Sequence, residues 1–395
     1  MKYKDRIDKI VADLSPELKK LAKDIHDNPE LGLEEFKACA WQVELIKKYG
    51  FDVETGVADI PTAFVASYKG DKPGPVIGMI SEYDCLPEIG HACGHNLIAM
   101  MGVGSGLGMK EFIDEFGGEV RIYGTPAEEN AGAKIPMAKA GLFDDCDAVM
   151  QVHPSCMDTD SWNTSAIDAL SVEFRGKPSH AAAAPEIGIN ALDAMILLFN
   201  AVALMRQQTT EDTRIHGVIT DGGVVPGIIP DYTKADFYTR AHRAKDAIAL
   251  TYRLMDAAKG AALATGCEVN FIRDPEAIYV DTISNQVLSR RATDYMEELG
   301  FKPQRFEGQY VGGSTDLGNV SYIAPSIHLS CKIGDSPDGS QFGVHTYYFT
   351  ERAGTDEAME VCLGYIKGLI ATGIDLLTEP EFLAEIKEEF SHIND

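Results

Sequence analysis

Apolar residues near the start of the chain recur at helical spacing. Ile7, Ile10, Val11 and Leu14 predict a helix, and residues 38–48 repeat the pattern, so residues 5–50 read as helical, broken at Asn28-Pro29 and Gly32. A short apolar run at 75–80, set between turn-rich segments, predicts a strand. Two more strands are predicted at 119–123 and 147–152, with helical patterns at 97–112 and 135–140 between them. Strand alternating with helix predicts an α/β sheet covered on both faces.

Each of these strands is followed by polar candidates: Glu82 and Asp84 after the first, Glu128 and Glu129 after the second, His153 at the end of the third. Open α/β sheets bind ligands outside the carboxyl ends of their strands, so three separate segments are expected to converge on one crevice. From about residue 168 the pattern changes. Strand 169–174, helix 188–206, strands 214–220 and 232–240, helix 243–262 and strand 268–272 follow in the order β-α-β-β-α-β, the ferredoxin-like arrangement. The expected organisation is a larger α/β domain, residues 1–167 and 281–395, interrupted by a smaller domain at 168–280.

At 395 residues the chain exceeds one comfortable core, in keeping with two domains. A formal net charge of −26, from 61 acidic and 35 basic residues, repels nucleic-acid backbones and anionic membranes, and neither is expected as a partner. The acidic residues are scattered, as a solubility role predicts. No run is read as approaching the roughly 18 apolar residues of a membrane span. The charged start, Met1-Lys2-Tyr3-Lys4-Asp5-Arg6, does not read as a secretory signal. Eight cysteines without a Cys-x-x-Cys pair read as thiols of a reducing compartment, so a cytoplasmic location is expected.

The chemistry concentrates at Gly90-His91-Ala92-Cys93-Gly94-His95-Asn96, where Cys-x-His can place two metal ligands at the mouth of a strand. Joined by a carboxylate from Pro126-Ala127-Glu128-Glu129 and by His153, they form a borderline-soft set that suits zinc and its neighbours better than calcium or magnesium. The adjacent glutamates offer a general base. A lone cysteine beside a glycine turn is more often a buried thiol, and Glu-Glu is more often a solvated turn; it is their combination that points to a metal-dependent hydrolase. Zinc nucleobase deaminases also use Cys, His and Glu, but their His-x-Glu and Pro-Cys-x-x-Cys strings do not occur.

Five ordered blocks, SEYDCLPEIGHACGHNLIAM, GTPAEENAGAK, GKPSHAAAAPEIGINALDAM, GGVVPGIIPDYTKADFYTRA and GSTDLGNVS, resemble the co-catalytic metallopeptidases and amidohydrolases of family 20. That group includes aminoacylase and hippurate hydrolase, and the blocks look most like its branch acting on p-aminobenzoyl-glutamate and β-alanyl dipeptides. The resemblance covers nearly the whole chain. It implies a zinc-peptidase-like catalytic domain, a mixed sheet flanked by helices, with the inserted ferredoxin-like domain serving as lid and dimerisation element.

By the same resemblance Cys93, His95, Glu129, His153 and His345 are metal ligands, with Cys93 bridging two divalent ions, zinc first and manganese or cobalt as alternatives. Glu128 is the general base and acid, and Asp84 orients ligands. His180 reaches the partner's site in a homodimer, and Arg240 grips a substrate carboxylate. The implied substrate is an N-acyl amino acid or dipeptide. The alternative is a metal-binding homologue without catalysis, acting as a scaffold or regulatory subunit. Two departures stand out: Asn96 occupies a position where many relatives carry Asp, and Gly227 one where Asn is usual. His26, His216, His242, His328 and His392 are expected to be structural or surface residues, and Glu82 a surface acid.

Overall fold

The computed structural model describes residues 1–335 and 343–393. The chain forms two compact units: Met1–Asn163 with Thr282–Val311 and Thr315–Asp395, and Thr164–Asp281 with Gly312–Ser314. Among the described residues the strands, in chain order, are β1 (Asp52–Thr55), β2 (Phe64–Lys69), β3 (Val76–Ser81), β4 (Glu119–Gly124), β5 (Ala148–Ser155), β6 (Ala166–Arg175), β7 (Arg214–Asp221), β8 (Tyr232–Ala241), β9 (Glu268–Ile272) and β10 (Ser326–Lys332).

In the larger unit six strands make one mixed sheet in the order β1-β2-β4-β3-β5-β10. Strands β4, β3, β5 and β10 run parallel, while β2 is antiparallel to both β1 and β4. Strands β3, β5 and β10 are buried almost throughout, which explains the apolar runs at the start of β5 and along β3. Strands β1 and β2 escape the apolar pattern because β1 is four residues long and mostly exposed, and β2 lies beside it near the edge. Strand β10 is also not singled out by pattern, since its buried face is built partly from Ser326, His328 and Ser330.

Helix His95–Phe116 packs on β3, β4 and β5 and, on its other side, against helices Lys4–Asp27 and Asp356–Thr378. Its sequence Gly102-Val103-Gly104-Ser105-Gly106-Leu107-Gly108 is a poor helix former, each glycine costing about 1 kcal/mol relative to alanine. The gain is close approach on two faces. A Cβ at Gly102 would lie 2.2 Å from the Ile80 carbonyl oxygen, and one at Gly106 2.3 Å from Ile122, both on the sheet side. Cβ atoms at Gly104 and Gly108 would meet Ile366 and Ile370 of the helix behind. On the opposite face of the sheet Ile80, Tyr123 and Val149 pack with Met137, Leu317 and Val320. Helix Asp356–Thr378 is long and apolar enough to cross a membrane by length and composition, which corrects the pattern reading, and 72% of its most apolar stretch is buried inside the protein.

The smaller unit has the expected β-α-β-β-α-β order, with helices Ala191–Met205 and Ala244–Thr265. Its four strands form an antiparallel sheet ordered β7-β8-β6-β9. Leu170, Val172, Phe174 and Phe237 of the sheet pack against Met195, Leu198, Leu250 and Leu254 of the helices. Along the second half of β6 the buried Leu170, Val172 and Phe174 alternate with Ser171, Glu173 and Arg175, as a sheet covered on one face requires.

Gly102→Ala is expected to lower the unfolding free energy by about 1–3 kcal/mol, despite its better helix propensity, because its methyl group meets backbone. The urea midpoint at unchanged slope measures this. Gly104→Ala meets only the far ends of the Ile366 and Leu18 side chains and is expected to cost less; the reverse order would contradict the packing described.

Candidate metal centre

The loop before helix His95–Phe116 sets two donors with a single turn. Gly94 adopts φ 76°, a left-handed conformation open to glycine, and a Cβ there would stand 3.0 Å from Pro154. This close approach brings Cys93 Sγ within 3.4 Å of His153 Nε2, at the end of β5. His153 Nδ1 lies 2.6 Å from the Pro154 carbonyl, which only accepts, so Nδ1 donates and Nε2 is left facing the thiol. Burial pushes the Cys93 thiol well above its ordinary range in the absence of a cation, a penalty that a divalent ion would relieve.

Asp84, just beyond β3 and fully buried, connects the next two donors. Its Oδ1 accepts from His95 Nδ1 at 2.8 Å, and its Oδ2 accepts from the Glu129 backbone N–H at 3.0 Å. His95 Nε2 is then a bare lone pair, buried and without a hydrogen-bond partner. Glu129 Oε1 is also buried and unpartnered by hydrogen bonds, 3.9 Å from His95 Nε2. Buried polar atoms are normally satisfied, so such an array of acceptors without donors fits a cation.

Two adjacent glutamates reach the same place because the backbone turns sharply before them. Ala127 has φ 59°, strained for a residue with a Cβ. Its carbonyl accepts from the N–H groups of Ala131 and Gly132, and its own N–H donates to Glu35 Oε1 at 2.8 Å. Glu35 is buried and also accepts from Thr62 Oγ1 at 3.1 Å. Burial, with Asp84 adding, raises its carboxyl to about 7.

His345 arrives from a distant segment, in a left-handed conformation (φ 64°), with its N–H bonded to the Ala92 carbonyl at 2.8 Å. Its Nε2 lies 3.4 Å from Glu129 Oε1. The five candidate ligands thus fall into two groups, Cys93–His95–His153 and Cys93–Glu129–His345, each with donor atoms within 4.8 Å of one another. Cys93 belongs to both. Glu128 lies on the same scale from His95 and Glu129 and is buried. Burial first, then Glu82, Asp316 and Glu129, push its carboxyl well above the usual carboxylate range. Glu129 is held near 2, since His345, with Nε2 3.4 Å from Oε1, and the charge of His95 outweigh burial.

Sequence reasoning places these residues but misreads their surroundings. Glu82 is no surface acid: it is fully buried, with Oε2 3.7 Å from His95 Nε2 and Oε1 2.6 Å from Lys134 Nζ. Lys134 is also fully buried and lies 2.5 Å from Asp316. One ammonium is shared by two carboxylates. Burial opposes ionisation of both, but Lys134, His95 and His153 hold Glu82 down to about 2, whereas burial and Glu82 raise Asp316 to about 6. His328 is buried with its ring 5.4 Å from that of His153. No short motif marks Lys134; only its place in a helix entering beneath the centre could have found it.

The other two predicted site residues lie in the smaller unit. His180 Nδ1 accepts the N–H groups of Ala182 and Ala183 at 3.2 and 3.1 Å. Arg240 Nη1 donates to Ser314 Oγ at 2.8 Å, and its Nε donates to His216 Nε2 at 3.2 Å. Burial lowers its pKa, and it meets no carboxylate among the described residues.

Residues 80–371 match the sequence profile of Peptidase family M20/M25/M40. Xaa-Arg dipeptidase of Mus musculus is 36% identical over 94% of this chain and 88% of its own length. A p-aminobenzoyl-glutamate hydrolase polypeptide of Escherichia coli K12 is 27% identical over 95% of this chain and 92% of its own. A dinuclear metal-binding peptidase of the M20 family from Bacillus subtilis superposes with a TM-score of 0.67 at 18% identity, covering 92% of this chain and 99% of that one. At that identity the superposition speaks for the fold.

Lys134→Met is expected to destabilise the protein by about 3–5 kcal/mol, because Glu82 and Asp316 are left buried without a cation. Adding Glu82→Gln and Asp316→Asn should recover part of the loss; no recovery in denaturant unfolding would argue against the shared-charge account. Glu35 gives a pH signature. A raised carboxyl costs the folded state more as pH rises from about 4.5 towards about 7. Glu35→Gln should therefore gain stability relative to the parent across that window and hold the gain above it. A pH-independent difference would refute the raised carboxyl.

Proposed function

The chain belongs to Peptidase family M20/M25/M40, whose members compared above include a dipeptidase and an amidohydrolase, and we propose that it hydrolyses the amide bond of a dipeptide or N-acyl amino acid with a free carboxylate. The observation that carries this reading is the pair of ligand groups sharing Cys93, with Glu128 beside them. His95 Nε2 and Glu129 Oε1, buried without hydrogen-bond partners, fit bound cations, and the thiolate–imidazole–carboxylate set favours zinc, with manganese or cobalt as substitutes. Two such ions, as in the dinuclear peptidase from Bacillus subtilis, would supply Lewis-acid polarisation of the amide carbonyl and an acidified water.

The protein's own groups do the rest. Asp84 fixes the His95 ring and the Glu129 backbone together, so two ligands are oriented by one carboxylate. Glu128, with its elevated proton affinity, takes a proton from the attacking water and returns it to the leaving amine. Arg240 receives the substrate carboxylate with a guanidinium that no described acid neutralises. His180 adds a hydrogen bond to the substrate carbonyl from the partner in a homodimer. Support for the dimer comes from the smaller unit, where the edge strand β7 exposes Val218 and Ile219, and helix Ala191–Met205 exposes Ile196, Leu197 and Leu204. The reading keeps the protein in the cytoplasm, in keeping with eight cysteines and no disulfide among the described residues.

The test is turnover of p-aminobenzoyl-glutamate, hippurate, N-acetyl amino acids and α- and β-alanyl dipeptides, with metal analysis on the same sample. Turnover abolished by a chelator and restored by one metal is expected. Metal bound without turnover across the panel would favour the non-catalytic scaffold. Glu128→Gln should retain metal and lose about 10²–10⁴-fold in kcat. His153→Ala and His345→Ala should each lose one ion per chain, while Cys93→Ala weakens both; loss of a single ion in Cys93→Ala would remove the bridging role.

A further inference from the structure

Arg240 is one of several arginines of this acidic chain without a carboxylate partner among the described residues. Arg6, Arg121, Arg273, Arg291 and Arg305 each meet at least one carboxylate, and their pKa values are raised. Arg240 instead rests on two neutral acceptors. Ser314 Oγ spends its proton on the Ser165 carbonyl at 2.6 Å, which leaves a lone pair for Arg240 Nη1. His216 Nε2 takes the Arg240 Nε proton at 3.2 Å, and guanidinium only donates. The ring nitrogen facing Arg240 is therefore bare, and the imidazole is the neutral Nδ1–H tautomer.

The sheet builds this contact. His216 of β7 stands directly across from Tyr238 of β8, and Arg214 across from Arg240, so His216 and Arg240 are diagonal neighbours two positions apart. The His216 ring meets Tyr238 edge-on, with centroids 5.7 Å apart and an interplanar angle of 86°, which fixes its plane. We infer that His216 is a positioning residue for the hydrolysis proposed above: as a neutral acceptor it aims the Arg240 fork without neutralising it, reserving the charge for the substrate's carboxylate. A carboxylate in its place would occupy the fork, and a second cation would push it away.

Protonation of His216 removes the acceptor and places a cation against Arg240. The charged and titratable groups facing the ring are Arg240 and Tyr238 of β8 and Arg206, after helix Ala191–Met205. Burial first, then Arg240 and Arg206, lower its pKa from the ordinary histidine range. The hydrogen bond is intact above that lowered value and lost as pH falls through it. By sequence pattern alone His216 reads as a structural or surface residue; the contact with Arg240 gives it this role.

The inference rests on Arg240 as the carboxylate receptor, and the experiment separates the two. The compound of the panel turned over fastest is assayed beside its C-terminal carboxamide, on the metal-loaded protein. His216→Phe keeps a ring against Tyr238 and deletes the acceptor. It is expected to raise KM for the acid about tenfold, the scale of one hydrogen bond to a charged group, with kcat within about twofold and KM for the carboxamide unchanged. His216→Gln, which can present an oxygen acceptor, should restore KM and abolish its rise at acid pH. Unchanged KM in His216→Phe, or equal rises for acid and carboxamide, overturns the role of His216. Unchanged KM in Arg240→Gln overturns the carboxylate receptor itself. Ring nitrogen-15 shifts of His216 in the unsubstituted protein test the tautomer without turnover: a bare Nε2 is expected, and a proton on Nε2 at neutral pH sinks the inference.

Discussion

The two oxygens of Asp84 do more to define this centre than any single ligand. One accepts from the His95 ring and the other from the Glu129 backbone, so a carboxylate at the end of β3 ties the start of a helix to the turn after β4. Because the group is buried, neither bond competes with water, and each holds its partner in one orientation. His95 Nε2 and Glu129 Oε1 are both buried without a hydrogen-bond partner. A site built this way presents buried lone pairs that a cation fits.

The surrounding fold bears costs in order to hold that arrangement. Helix His95–Phe116 gives up helix propensity at four glycines so that the sheet and two helices can close on it, which fixes the position of His95 at its first turn. Ala127 is held in a left-handed conformation by Glu35, a carboxyl that burial keeps partly protonated near neutrality. Below the centre, Lys134 offsets Glu82 and Asp316 in the interior, where any one of the three alone would be strongly unfavourable. Acidic groups outnumber cations around the site by design of the sequence, and burial converts that surplus into affinity for metal.

Much of the fold is legible in the sequence because its signals are local. Strand β3 carries a continuous apolar run, β4 and β5 carry apolar residues interrupted at Arg121 and Gln151, and the smaller unit alternates strand and helix patterns of ordinary length. Cys93-Gly94-His95 can be read as a ligand pair because glycine between them permits the turn that aims both donors inward. Strand β1 is invisible to the same reasoning, being short and exposed. Glu82 is misassigned and Lys134 missed because polarity in sequence says nothing of depth; each is polar by type and buried by position.

The sequence by itself determined the donor chemistry, the order of strands and helices in the smaller unit, and the two glutamates adjacent to the crevice. Side-chain identity and period are properties of the chain, and both survive without coordinates. Tertiary structure decided the distances: Cys93 and His345, some 250 positions apart and read as ligands only through the family resemblance, have donor atoms within 4.8 Å of each other and of Glu129. It likewise decided that His216 supports Arg240 and that Lys134 is shared by two acids. These are distances between segments remote in sequence, set by how buried surfaces close on one another, and no local pattern encodes them.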